Sequence, residues 1–271
     1  MSSKSRAIVW FRNDLRLADN PALHAALEAG AEIVPVLLLD EAAGGASRWW
    51  LHHSIAALSH DLEHKGAPLV LRRGDARKII PELAAEIGAE SVHAARSFEP
   101  AMRAADRDVD AALKKHGIAF HRHLSMSLFQ PGEVATKAGG PYGVFTPFSK
   151  ALEAKGVSQS EAPSPRKIPG VSGVKSDKLD AWKLLPTRPD WAGGLREAWT
   201  PGEAGAKQRL DAFMAGPVAH YKEARDIPGR PGTSMLSPHV HFGEISPRTV
   251  WYAAVAAGNG KGAETFRKEL L

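Results

Sequence analysis

Arg6-Ala7-Ile8-Val9-Trp10-Phe11-Arg12-Asn13-Asp14-Leu15-Arg16-Leu17 begins as a short apolar run and turns abruptly to charge, and Asp19-Asn20-Pro21-Ala22-Leu23 follows. That order predicts a strand over Arg6–Phe11 running into a polar loop. Asp19 or Asn20 then caps a helix with Pro21 at its first position. Within the loop, Arg12, Asp14 and Arg16 are expected to pair locally. The loop carries no Gly-x-Gly-x-x-Gly, so a dinucleotide grip of that kind is not predicted here despite the strand-loop-helix order.

The same alternation continues. Further short apolar runs at Ile33–Leu39, Leu69–Arg72, Ser91–Ala94 and Ile118–His121 read as strands, with amphipathic helices at Pro21–Ala29, Trp50–Lys65, Ala76–Ile87 and Met102–His116 between them. Leu51, Ile55, Leu58 and Leu62 fall at helical spacing and give the second helix a face to bury. Strands alternating with helices make a doubly wound α/β domain with a parallel sheet over residues 1–130. From Val157 to about Gly205 prolines 163, 165, 169, 186, 189 and 201 exclude a helix or an interior strand, so 131–205 is read as an interdomain connection. Helical signals return over 206–271, at Leu210, Phe213, Met214 and Tyr221, with Gly216-Pro217 as a kink and a new amphipathic run after Pro247. Phe266–Leu271 reads as a helix without cap or tail, which is the expectation of an all-helical domain begun and not completed.

Of 271 residues, 44% are hydrophobic and 24% charged, enough apolar content for a real core. A net charge of +5, spread along the chain, permits a polyanionic partner without naming one. The absence of cysteine excludes disulfides, thiolate metal sites and a cysteine nucleophile. No apolar run approaches the roughly 20 residues that span a bilayer, the start Met1–Arg6 is polar, and a cytoplasmic protein is expected.

Three segments carry chemistry. The opening stretch is the first, and Val144-Phe145-Thr146-Pro147-Phe148 is the second. The third runs from Tyr221-Lys222-Glu223-Ala224-Arg225 through Gly232-Thr233-Ser234-Met235-Leu236-Ser237-Pro238 to Gly243-Glu244-Ile245-Ser246-Pro247-Arg248. Thr233, Ser234 and Ser237 cluster three hydroxyl donors beside a helix start marked by Pro238, an arrangement that can cradle a phosphate or serve as a plain cap without ligand. His52-His53, His121-x-His123 and His239-x-His241 invite a metal reading, but no set of three or four ligands with carboxylate partners is evident, and no metal is expected. Trp10, Trp49 and Trp50 are expected in the core or at an interface.

Taken together and in this order, the three segments make the chain resemble the photolyase/cryptochrome family over nearly its whole length. The resemblance implies FAD as cofactor, held at its pyrophosphate by Thr233, Ser234, Met235, Leu236 and Ser237 and contacted by Tyr221. It implies that Arg225 meets a DNA phosphate. Phe266-Arg267-Lys268-Glu269-Leu270-Leu271 looks like the start of a family segment in which Phe266 lines the flavin pocket and Glu269, the implied catalytic residue, hydrogen-bonds the lesion. A solvated helix-surface glutamate is the alternative for Glu269. The implied reaction is light-driven electron donation from reduced FAD to a cyclobutane pyrimidine dimer flipped out of damaged DNA, with a glutamate kept protonated by a poorly solvated site. An antenna chromophore, methenyltetrahydrofolate or a deazaflavin, is implied without matched residues, because the strip around Arg103 lacks the acid that folate-binding relatives place there. The full-length protein is expected to be a monomer. A cryptochrome-type light receptor and an inactive fragment are the rival readings, and the 271-residue chain alone is expected neither to retain flavin nor to repair DNA.

Overall fold

Apolar runs too short for helices pair side by side into one parallel sheet, ordered β3-β2-β1-β4-β5. The strands are β1 (Arg6–Phe11), β2 (Glu32–Leu39), β3 (Val70–Arg73), β4 (Ser91–Ala95) and β5 (Ala119–His123), alternating with helices α1 (Pro21–Glu28), α2 (Gly45–His64), α3 (Ala76–Ile87) and α4 (Pro100–Lys114). The computed structural model describes residues 5–39, 44–158 and 162–271; the polar Met1–Lys4 start and part of the connection lie outside the described residues. Alternate side chains of the strands feed two cores. Val9, Phe11, Ile33 and Leu37 meet Leu23, Ile55, Leu58 and Leu62 on one face, and Ile8, Val34, Val36 and Val92 meet Ile80, Leu83, Val109 and Leu113 on the other. Helices on both faces are what a parallel sheet requires. The α/β class and the doubly wound order are as expected.

Most bounds fall within two residues of the expected ones, and the largest difference is at α2. α2 begins at Gly45, five residues before the predicted Trp50, and Gly44 provides no side-chain cap. The first turn, Gly45-Ala46-Ser47-Arg48, has no apolar face to announce it, and burial of Trp49 and Trp50 holds it in place.

The connection is bound to the first domain along much of its course. Helix α5 (Phe145–Lys155) opens it. Ile33 N–H donates to Pro169 O at 2.7 Å, Ile168 N–H to Lys65 O at 2.8 Å, and Ile168 and Trp182 enter the first core. Proline content was expected to exclude any helix here, and the structure corrects this: a six-residue helix α6 (Gly193–Ala198) fits in the proline-free interval before Pro201. Then come α7 (Glu203–Met214), a 3₁₀ turn at Pro217–His220 where the kink was predicted, α8 (Tyr221–Ala224), α9 (Ser237–His241), α10 (Pro247–Ala256) and α11 (Lys261–Lys268). Leu210, Phe213, Val218, Tyr221, Leu236, Val250 and Phe266 form their shared core. No described helix is long and apolar enough to cross a membrane.

Candidate functional site

Helix α9 starts at Ser237, with Pro238 in its first turn, where Pro lacks only an N–H that would have been unpaired anyway. Ahead of it Met235 adopts φ +56, a left-handed conformation, which folds the backbone so that successive N–H groups turn to one side. Thr233, Met235 and Ser237 are exposed, Ser234 is half-buried, and Leu236 alone is buried. Ser234 Oγ accepts from Leu236 N–H at 3.4 Å. Thr233 and Ser237 are thus surface residues and not part of the core. At five residues α9 has little dipole, so any grip on phosphate there rests on these hydroxyls and N–H groups.

Beside this loop the structure gathers the other residues named from sequence. Tyr221 and Phe266 are buried edge to face, ring centroids 5.2 Å apart, with Phe213 4.8 Å from Phe266. Burial pushes the Tyr221 phenol up, with Arg225 opposing and Glu269 adding. Arg225 stands over the Tyr221 ring, 5.4 Å from its centroid, and its guanidinium donates to the Glu269 carboxylate. That hydrogen bond raises the Arg225 pKa. Glu269 is exposed. The poorly solvated site expected around Glu269 is not formed by the described residues, where its carboxyl meets solvent and Arg225.

A buried polar clasp lies behind the site. Local pairing of Arg12, Asp14 and Arg16 was expected, and each long side chain instead reaches across the molecule. Arg12 pairs with Asp106 at 2.5 Å, both side chains almost fully buried, and donates to Ala95 O at 3.2 Å. This pair lies at the carboxyl ends of β1 and β4, where the strand order reverses and where doubly wound sheets commonly take ligands. Arg16 donates to Gly243 O at 3.0 Å, Asp19 O at 2.8 Å and Ser125 Oγ at 2.9 Å. Burial pushes Arg16 down and Asp14 up. Asp14 keeps two local bonds, from Arg12 N–H at 2.9 Å and from Asn20 Nδ2 at 3.3 Å, and Asn20, not Asp19, caps α1 by accepting from Leu23 N–H at 3.1 Å. Asp19 accepts from Arg248 Nε at 2.9 Å and Nη2 at 2.7 Å, and from the Ser246 hydroxyl. Glu203 accepts from Leu17 N–H at 2.8 Å and Ala18 N–H at 3.1 Å. Its carboxyl is raised by burial. A second buried set joins Trp50 Nε1 to Glu244 Oε1 at 2.9 Å and Glu244 Oε2 to His239 Nδ1 at 2.5 Å.

The family model for DNA photolyase matches residues 7–167. The chain belongs to the DNA photolyase family. It is 44% identical over 271 residues to the deoxyribodipyrimidine photo-lyase of Agrobacterium fabrum, covering 97% of this chain and 57% of that protein. Cryptochrome-1 of Arabidopsis thaliana is 33% identical over 256 residues, covering 91% of this chain and 37% of that protein. The crystal structure of a bacterial class III photolyase from Agrobacterium tumefaciens superposes with a TM-score of 0.95 at 43% identity, covering 100% of this chain and 57% of that chain. The chain thus spans well under two thirds of the length of these relatives.

In this member of the DNA photolyase family, the opening segment and the Gly243–Arg248 segment are two halves of one clasp. Sequence reading singled out both and missed their contact, as well as Asp106, Glu203 and Ser125. The available signal was three ionisable residues in one loop beside a buried strand, since such groups need partners when buried. No local spacing says which. The Val144–Phe148 segment starts α5, with Val144 and Phe145 exposed. His121 and His123 do share a face, and with them His93, whose Nδ1 is 3.2 Å from His123 Nε2. Among the described residues, no group of three histidines or acids is arranged to hold a metal. Trp10, Trp49 and Trp50 are core residues.

Proposed function

We propose that the protein containing this chain repairs cyclobutane pyrimidine dimers in damaged DNA by a light-driven reaction with FAD as cofactor, working in the cytoplasm and as a monomer when complete. Family membership gives the reaction class. The observation that carries the site is the Thr233–Ser237 loop, whose exposed hydroxyls and left-handed Met235 fit a pyrophosphate and have no structural task that needs them exposed. Thr233, Ser234 and Ser237 donate to phosphate oxygens, with the backbone of Met235 and Leu236 beside them. Tyr221 and Phe266 supply the apolar wall from which water is excluded. Bound and reduced, FAD supplies the photoexcitable electron donor.

Arg225 and Glu269 occupy the neighbouring surface. Arg225 contacts a DNA phosphate, which competes with Glu269 for the guanidinium. Once Arg225 is engaged by DNA, Glu269 is released toward the flipped dimer. A carboxylic acid there donates a hydrogen bond to a base carbonyl as negative charge develops on it. The test is to purify the flavin-loaded protein and its Thr233→Ala/Ser237→Ala variant and compare flavin per protein from visible absorbance. The variant is expected to lose most of its flavin, and unchanged occupancy would remove this loop from the cofactor site. The cryptochrome-1 relative supports a second reading, a light receptor, which retains flavin and cleaves no dimers.

A further inference from the structure

Helix α9, which carries Ser237, is too short to set its own direction. It has five residues, and so short a helix gains little from its own hydrogen bonds. Val240 N–H donates to Leu236 O at 2.9 Å and Phe242 N–H to Pro238 O at 3.0 Å. What fixes the helix comes from beyond it. Glu244 N–H donates back to His239 O at 2.8 Å, and the Glu244 carboxyl returns with its backbone: Oε2 stands 2.5 Å from His239 Nδ1, and Oε1 accepts from Trp50 Nε1 at 2.9 Å. All three side chains are buried. Trp50 belongs to α2 of the first domain, so this unit ties the helix beside the hydroxyl loop to the sheet. Among the described residues, His239 is the α9 residue whose side chain is hydrogen-bonded.

Rings close in on His239 as well. Its imidazole stands edge-on to Trp50 with centroids 5.0 Å apart, Trp199 is 6.2 Å away, and Phe242 stacks on Trp50 at 6.1 Å. His239 Nε2 is buried with no hydrogen-bond partner among the described residues. A well-packed apolar group of similar volume would serve stability as well or better, because a buried polar or ionic pair gives back in desolvation much of what its attraction gains. What the pair supplies is direction, since a hydrogen bond holds only over a narrow range of distance and angle. His239 lies two residues along α9 from Ser237 and three from Leu236, so turning its ring or shifting its backbone moves the end of the hydroxyl loop. The far end of the helix is steadied separately, by Leu15 N–H to Phe242 O at 3.1 Å and Arg16 to Gly243 O at 3.0 Å. Groups already set in their bound arrangement hold a ligand more tightly, because less has to be ordered on binding.

We propose that Glu244 and His239, backed by Trp50, are positioning residues for the cofactor: the unit they form orients α9 so that the Thr233–Ser237 loop is set for a pyrophosphate before flavin arrives. The inference rests on the flavin reading and adds to it residues that touch no ligand. To test it, the full-length protein is freed of flavin and its affinity for FAD is measured by flavin fluorescence, alongside Glu244→Gln, His239→Gln, Ser237→Ala, the Glu244→Gln/Ser237→Ala and His239→Gln/Ser237→Ala combinations, and Thr233→Ala/Ser237→Ala. Glu244→Gln keeps the side-chain volume and removes only the acid, and circular dichroism checks that each variant is folded. Glu244→Gln and His239→Gln should each weaken FAD about tenfold. In the Ser237→Ala background the same changes should weaken it clearly less, because residues that act through one contact are not additive once that contact is gone. Should Glu244→Gln fail to fold, the His239→Gln pair of measurements decides alone. Losses that add fully would overturn the proposal, since the unit would then support the fold and not the loop. A loss in Thr233→Ala/Ser237→Ala with none in Glu244→Gln or His239→Gln would overturn it and leave the flavin reading standing. FAD affinity untouched by Thr233→Ala/Ser237→Ala would remove the flavin reading of the loop, and this inference with it.

Discussion

At the scale of single residues, the account depends on charges that are buried and answered. Asp19 is 3% exposed and accepts two bonds from Arg248, which is itself buried. Asp19→Ala leaves the guanidinium without its counter-charge, and removing one partner of a buried pair costs about 3–5 kcal/mol. Urea denaturation should show that loss, and a change below about 1 kcal/mol would mean that the pair is open to water. Trp50→Phe removes the donor to Glu244 together with part of a buried ring, so a loss of about 1–3 kcal/mol from the bond, enlarged by the cavity left behind, is expected by the same measurement. His93 makes a separate, pH-dependent claim. Burial, then His121 and His123, push it from 6.5 down to about 4. His123 is also lowered, first by burial, then by His121 and Arg96. Between these pH values the unfolded chain binds the proton and the folded chain does not, so stability from His93 is complete above 6.5 and is lost as pH falls toward 4. Stability curves of the protein and of His93→Gln should converge toward low pH, and parallel curves would contradict the shift.

At the scale of elements, the clasp needs two backbones closer than side chains allow. Gly243 has φ +66, and a Cβ there would stand 1.7 Å from Asn13 O, while Leu15 N–H donates to Phe242 O at 3.1 Å. Gly243→Ala therefore strains its own backbone and pushes the α9–α10 turn off the first loop. The expected result is a Tm lower by several degrees together with faster proteolysis around 242–248, and a Tm equal to that of the original protein would show that the contact is loose. The elements differ in how legible they were. β1 and α3 were read at their observed bounds, because an apolar run flanked by charge and a helix between Asp75 and Gly88 carry their own signals. Asp75 caps α3 and Gly88 ends it at φ +64. The start of α2 was not legible, since its first turn is held by packing and by no local cap. The clasp was illegible for a different reason: Asp19 and Arg248 stand 229 positions apart, and nothing in either neighbourhood identifies the other. The hydroxyl cluster at 233–237 could be read as a phosphate loop or a bare cap, and the fold narrowed this by leaving Thr233 and Ser237 exposed.

At the scale of the whole molecule, the two helical-and-sheet halves are joined through buried polar contacts, with the connection lying along the first domain. Residues proposed to meet flavin, Tyr221, Phe266 and the Thr233–Ser237 loop, and those proposed to meet DNA, Arg225 and Glu269, lie together in the 203–271 part of the chain. The clasp fixes that part against the sheet through Arg16, Asp19 and Arg248. DNA affinity should consequently depend on salt, and Arg225→Ala should weaken damaged and undamaged DNA by similar factors and lower the salt slope by about one phosphate's worth. An unchanged slope would take Arg225 off the DNA face. At the centre of the account is the proposal that the protein containing this chain uses light and FAD to split pyrimidine dimers. Its most direct test is to illuminate the intact flavin-loaded protein, with the flavin reduced, in the presence of an oligonucleotide holding one thymine dimer, and to follow restored thymine absorbance. Cleavage in the light, none in the dark, and a loss of at least tenfold in rate with Glu269→Ala are predicted. Full flavin occupancy with no cleavage under illumination would contradict the account.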